Sequence, residues 1–220
     1  MPRTILVTEG DSPLGGALTR LLLARGFSVA ALQERAPVAS GERTGSAPRP
    51  SLAVAWNRRS PVSAHTILLT VLNAFESIDD VLILEPPIPD GPSLREAQSA
   101  DIERALDDAK GPMFLAREAL SYFHRSGAGV LCMVSGGPSA GPVAGAAREC
   151  FRGLAGSLLS GSGEQGVVAN GFQTAGADPE EYAAFIDRTL EEKARKISGR
   201  WFAFQPRGGF LQGVLSGSRT

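Results

Sequence analysis

An α/β fold, a doubly wound parallel sheet with helices on both faces, follows from three features of this chain. Short apolar runs without alternating polar residues recur along it, as strands buried on both faces require. Between them lie longer segments with apolar residues at helical spacing. Strand and helix signals alternate throughout, the order that builds a parallel sheet. The 220 residues, 43% of them hydrophobic, can bury a full core as one domain spanning 1–220.

Each element has its own signal. Arg3–Thr8 is an apolar strand, and Ser12 and Pro13 supply a cap and a first helical residue for a helix through Arg25. Leu14, Leu18, Leu21 and Leu22 share one face of it, Gly26 ends it, and Phe27–Leu32 is a second strand. Ala36–Pro50, rich in Ala, Ser, Gly, Arg and Pro, is expected to be a surface loop. Ser51–Trp56 is a third strand, and Ser60–Pro61 opens a helix running to about Ser77. Val81–Leu84 is a buried strand, ended by Pro86, Pro87 and Pro89. A long helix, Ser99–Arg125, carries Gly111–Pro112 as a bend point. Then come a strand at Val130–Val134, a glycine-rich turn, and a helix at Ala144–Ser160. A strand at Val167–Phe172, a helix at Pro179–Lys196 and a strand at Trp201–Phe204 complete the order.

Composition excludes several classes of function. A formal net charge of −1 argues against a nucleic-acid protein, whose domain is usually basic. No apolar run approaches the ~18 residues of a membrane span, and no charged-then-apolar leader opens the chain. A cytoplasmic protein is therefore expected. The two cysteines, Cys132 and Cys150, read as buried thiols in a reducing compartment. With two histidines, His65 and His124, both read as helix-surface residues, no metal site is expected.

The turn Thr8–Gly15, "TEGDSPLG", has the place of a phosphate-binding loop between the first strand and helix. With "IDDVLIL" (78–84), "KGPMFLAREAL" (110–120), "CFRGLAGSLL" (150–159) and "ISGRWFAFQPRGG" (197–209), it makes the chain resemble the short-chain dehydrogenases/reductases along nearly its whole length. The resemblance implies a Rossmann-like domain, NAD(P) as cofactor, and hydride transfer to or from a carbonyl or alcohol carbon. It implies a catalytic tyrosine with a lysine four residues on, a serine that polarises the substrate oxygen, and a helix asparagine. Carried onto this chain, those positions fall on Ala144, Arg148, Ser135 (or its neighbour Gly136) and Asp108. An alanine has no proton to give, and an arginine cannot act as an acid or base near neutral pH. No shift of register helps, because Gly127–Glu164 contains neither tyrosine nor lysine. The chain's two tyrosines, Tyr122 and Tyr182, lack a lysine four residues on.

The resemblance likewise puts Thr8, Gly10, Leu14, Gly15, Gln33 and Asn57 at the cofactor. Three departures oppose it. Glu9 stands where the family has a first glycine, Pro13 removes an N–H, and Glu85 lies beneath the cofactor's place. A carboxylate near a pyrophosphate costs about 1 kcal/mol or more at short range. Glu9 and Asp11 are expected to serve the helix dipole in the phosphate's stead.

A binding or oligomer-partner subunit that has lost the family's hydride transfer is the expectation. The alternative is a divergent NAD(P)-dependent oxidoreductase acting on a small carbonyl or alcohol, with Arg148, Ser135 and Asp108 in the working roles. A crevice holding a cationic or polyhydroxylated ligand through Glu9, Glu85, Ser135 and Arg148 is a third possibility. The resemblance implies assembly through helices 99–125 and 144–160, with a second copy or a related catalytic subunit, and the small residues of the second helix suit close packing. No nucleic-acid or membrane partner is expected.

Overall fold

Val, Ile and Leu runs with no polar face cannot sit at the edge of a core, and they take the centre here. Every residue of β1 (Thr4–Val7) and β4 (Asp80–Leu84) is buried. The computed structural model describes residues 2–34, 51–87, 93–137, 141–161 and 166–206. The remaining elements are α1 (Pro13–Ala24), β2 (Ser28–Gln33), β3 (Ser51–Ala55), α2 (Pro61–Phe75), α3 (Ser99–Ser126), β5 (Gly129–Ser135), α4 (Pro142–Ser160), β6 (Val167–Thr174), α5 (Pro179–Thr189) and β7 (Arg200–Phe204). The expected loop at 36–50 lies outside the described residues.

The seven strands form one parallel sheet in the order β3-β2-β1-β4-β5-β6-β7. Strand order reverses between β1 and β4, so a crevice is expected beyond their carboxyl ends. One core, with Leu6, Ile83, Leu131, Phe123 and Phe151, lies under α2, α3 and α4. The other, with Val7, Leu18, Leu82, Phe172 and Ile186, lies under α1 and α5. This is a single Rossmann-like α/β domain.

Helix starts follow their caps. Ser12 Oγ accepts from Gly15 N at 3.0 Å, and Ser60 Oγ from Ser63 N at 3.2 Å, each ahead of a proline in the first turn. α3 runs unbroken through Gly111 and Pro112, both buried. A Cβ on Gly111 would stand 2.7 Å from Arg58 Cβ, so the glycine lets α3 lie against that arginine.

Three expectations need correction. The helix expected to run from Pro179 to Lys196 leaves α geometry after Thr189 for a π-helical turn at Leu190–Ala194. Its buried Leu190 and Ala194 join the core, while Arg195, just beyond, reaches Asp80. The helix expected from Ala144 begins at Pro142. Cys132 is buried, but Cys150 is exposed on α4.

Gly15 is retained for a packing reason. A Cβ there would sit 1.9 Å from the Glu9 carbonyl oxygen, which is backbone and cannot swing aside. Gly15→Ala is expected to cost about 3 kcal/mol in denaturant unfolding. Its neighbour Gly16, whose nearest obstacle is the flexible Arg20 side chain at 3.5 Å, should gain about 0.5–1 kcal/mol as alanine. Equal effects at the two positions would contradict the packing account.

Candidate functional site

At the carboxyl edge of the sheet, β1 runs into Thr8 and Glu9. Thr8 is fully buried and stitches β1 to β4, its hydroxyl accepting from Leu84 N at 2.8 Å. Glu9 has φ 54°, a left-handed conformation that disfavours a side chain, and is only 2% exposed. Its carboxylate turns away from the helix start and accepts two bonds from Arg58, one of them 3.2 Å long. This overturns the expectation that Glu9 serves the helix dipole, which Ser12 caps instead. Arg58 also donates to Asp108 Oδ1 at 3.3 Å and lies 5.3 Å from the centre of the Trp56 ring. One guanidinium thus joins the β1 turn, the β3–α2 connection and α3.

A second cluster lies at the end of β4. Glu85 accepts from Arg148 Nε and from Gly136 N at 3.2 Å, and Arg148 also donates to the Gly137 carbonyl. Burial raises the Glu85 carboxyl, and Arg148 and the Gly136 N–H oppose the rise. The two crevice acids are therefore each held by an internal arginine, so the cation-favouring field expected of Glu9 and Glu85 is cancelled at its source.

The other sequence-derived positions divide as follows. Ser135 is fully buried, its hydroxyl donating to the Phe172 carbonyl at 3.4 Å and its own carbonyl accepting from Tyr182 OH at 3.0 Å. It offers no accessible hydroxyl to a substrate oxygen, contrary to the expectation. Burial pushes the Tyr182 phenol up, away from any acid–base role near neutral pH. Tyr122 accepts from Ile78 N at 3.3 Å, a packing role. Ala144 is buried at the start of α4. Among the described residues, no hydrogen bond or ion pair joins Asp108 to Ser135 or Arg148. Gly10 donates to the Leu32 carbonyl at 2.7 Å, and its missing Cβ would stand 2.8 Å from Ala31 Cβ, so it is tied to β2. Leu14 packs into the α1 core, and the Gln33 carbonyl accepts from Trp56 N at 2.8 Å. Asn57 is exposed, its side chain accepting from Arg59 N at 3.0 Å.

Asn57 does border open space. A cavity of about 580 Å³ lies beyond β2 and β3, walled by Glu34, Trp56, Arg58, Arg59, Arg104, Asp107 and Asp108 among others. Its charges largely cancel in pairs, with Arg59 2.5 Å from Asp107, itself bonded by Lys110 at 2.6 Å. Among the described residues, no group of His, Cys, Asp and Glu could hold a metal ion, and no helix is long and apolar enough to cross a membrane.

A pyrophosphate fits this edge poorly. Pro13 offers no N–H in the first turn of α1, Glu9 fills the glycine position with a carboxylate, and Arg58 is already spent on that carboxylate. The sequence singles out Glu9, Glu85 and Arg148 but neither pairs them nor marks Arg58. The available signal was compensation: each unexpected acid comes with an unexpected arginine.

Comparison with known proteins supports the architecture. A protein described as a 3-oxoacyl-reductase from Bacillus thuringiensis matches with a TM-score of 0.78 and 16% identity, over 93% of this chain and 97% of that one. ElxO with NADP bound matches at 0.78 and 13% identity over 92% and 97%, and levodione reductase at 0.77 and 14% over 92% and 96%. No family model matches the sequence, and no curated protein does. At such identities the likeness establishes the fold.

Burial lifts the Glu9 carboxyl from its ordinary 4.5 to about 7, against the pull of Arg58, while Asp11 and Asp108 add to the rise. An acid raised by folding binds more protons folded than unfolded. Its contribution to stability is therefore full below pH 4.5 and is lost as pH rises through 7. The unfolding free energy of the native chain, measured stepwise across that window, should fall relative to that of Glu9→Gln as pH rises. A difference that stays flat with pH would mean Arg58 keeps Glu9 ionised throughout.

Proposed function

We propose that this chain keeps the architecture of the short-chain reductases without their hydride transfer, and acts as a binding or oligomer-partner subunit. One observation carries this reading: the carboxyl edge of the sheet is occupied by its own ion pairs, Glu9–Arg58–Asp108 and Glu85–Arg148. The residues that would move a proton are missing as well. Ala144 is inert, Arg148 is bonded on two sides, and the segment 127–164 has no tyrosine or lysine. Breaking a buried pair by removing one partner costs about 3–5 kcal/mol. A ligand that displaced either carboxylate would have to return that much in contacts.

The assembly face follows from exposed apolar groups. Ile102, Leu106 and Met113 on α3 are 42%, 58% and 40% exposed, and Leu94 beside them is 65% exposed. Leu94, Ile102 and Leu106 border an apolar groove of about 260 Å³ between α3 and α4, with Val143, Ala146 and Cys150 on its far wall. Protruding and recessed apolar surface on one patch suits a two-fold contact with a second copy.

One observation favours the second reading, a divergent NAD(P)-dependent oxidoreductase. The 580 Å³ cavity lies at the ends of β2 and β3, where the resemblance puts the adenosine half of the cofactor. The two readings separate on binding. NADH and NADPH titrations, followed by tryptophan emission and calorimetry, should show no saturable response up to millimolar nucleotide. Trp56 lies against Arg58 and would report the rearrangement. Saturable binding at micromolar concentration would overturn the proposal in favour of the oxidoreductase. Light scattering on a sizing column should give a dimer or larger, and Leu106→Asp should give a monomer that unfolds at an unchanged temperature. A native monomer at micromolar concentration would remove the self-association.

A further inference from the structure

Arg148 and Arg152 stand one turn apart on α4, and their surroundings differ. Arg148 is saturated by Glu85 and the Gly137 carbonyl. Among the described residues, the one ion pair of Arg152 is a 3.6 Å contact with Glu149, whose side chain is 71% exposed, and a longer-range attraction links it to Glu85. Its Nε is buried with no acceptor among the described residues. A buried donor left unmatched costs about 1–3 kcal/mol, so this guanidinium has bonding capacity that the fold leaves unused.

Arg152 borders a second cavity, of about 260 Å³, at the carboxyl ends of β6 and β7. The wall is completed by Gln173, Thr174 and Gln205 as polar groups and by Ala175, Ala203 and Phe204 as apolar ones. β6 and β7 pair there, with Gln173 opposite Ala203 and Thr174 opposite Phe204. Arg152 is the only charged residue on the wall among the described residues, in contrast to the larger cavity, where arginines and carboxylates alternate. Neither glutamine side chain has a hydrogen-bond partner among the described residues, and the Thr174 hydroxyl oxygen accepts from Gly176 N, leaving its proton to give. The space equals about nine waters of liquid volume, below the range of drug-sized sites.

We propose that this cavity binds a small carboxylic acid, its carboxylate on Arg152 and its apolar body against Ala175 and Ala203. A planar guanidinium takes a carboxylate through two parallel N–H bonds, a match an ammonium cannot make. Gln173 and Gln205 offer amide N–H groups to the same oxygens. The site uses neither Glu9, Arg58 nor Arg148, so benzoate and nucleotide binding can be measured separately.

Benzoate is the probe, with neutral methyl benzoate as its control. Calorimetry on the full chain should show saturable benzoate binding and none of the ester. Arg152→Gln should weaken benzoate by about tenfold or more, as losing a charge-assisted pair implies. Arg152→Lys should fall between, since it keeps the charge and loses the fork. Thermal unfolding without ligand should not fall in either variant, because Arg152 is partly exposed and its buried Nε is unmatched among the described residues. Trp201, next but one to Ala203 on the same strand, should report occupancy by fluorescence. Absence of saturable benzoate binding overturns the site. So does equal binding of acid and ester, or benzoate affinity that survives Arg152→Gln.

Discussion

A buried carboxyl group must meet a cation, take up a proton or leave the core, and that requirement ties this sheet together at both ends. The central strands β1 and β4 carry three such acids. Glu9 follows β1, Asp80 opens β4 and Glu85 follows it. Glu9 is bound by Arg58, Glu85 by Arg148, and Asp80 by Arg195 together with Arg3, whose Nε lies 2.9 Å away. The partners come from different places: the β3–α2 connection, α4, the segment after the π-helical turn, and the residue before β1. Each pair therefore joins segments distant in sequence, and the helices on both faces are located by charge as well as by packing.

Burial decides the sign of this arrangement. Desolvation pushes the Asp80 carboxyl up to about 6 even with two arginines beside it, and lifts Glu9 further. Such pairs are weak sources of net stability, because taking both charges out of water consumes most of what their attraction returns. Their strength lies in the penalty for separation. An arginine fixed by that penalty is not available to a ligand, and this distinguishes Arg58 and Arg148 from Arg152.

The fold was legible because its signals are local. Cap-and-proline pairs at Ser12–Pro13 and Ser60–Pro61 mark helix starts, and the all-apolar β4 needs no neighbour to be recognised. The π-helical turn was not legible. Glu191, Glu192 and Lys193 are ordinary helix formers, and only the burial of Leu190 and Ala194 with Arg195 turned to Asp80 accounts for the change of pitch. At the site, the departures from the resembled pattern could be read directly, since Ala144 and the lack of tyrosine and lysine in 127–164 are plain in the sequence. The pairings could not. Arg58 is 49 residues from Glu9 in sequence and Arg148 is 63 from Glu85, and nothing local marks either as a partner. Ser135 shows the same limit, since a serine after a strand reads as a site hydroxyl until the neighbouring strand claims it.

The turn "TEGDSPLG" draws these threads together. Its glycines have structural duties, Gly15 against the Glu9 carbonyl and Gly10 against β2, so their survival does not require a nucleotide. Glu9 holds a backbone conformation that costs a side-chain-bearing residue about 1–2 kcal/mol. Residues held that way persist only where their surroundings over-determine them, and here Arg58 supplies the constraint. Arg58 in turn needs Gly111, because a side chain there would collide with it. Glutamate, arginine and glycine thus form one unit spread over three elements. Placing a glycine at position 9 alone would relieve the backbone and strand Arg58 beside Asp108 with half its partners gone. A phosphate-binding turn here would need changes at positions 9, 13 and 58 together, which makes the present carboxyl edge a self-consistent structure in its own right.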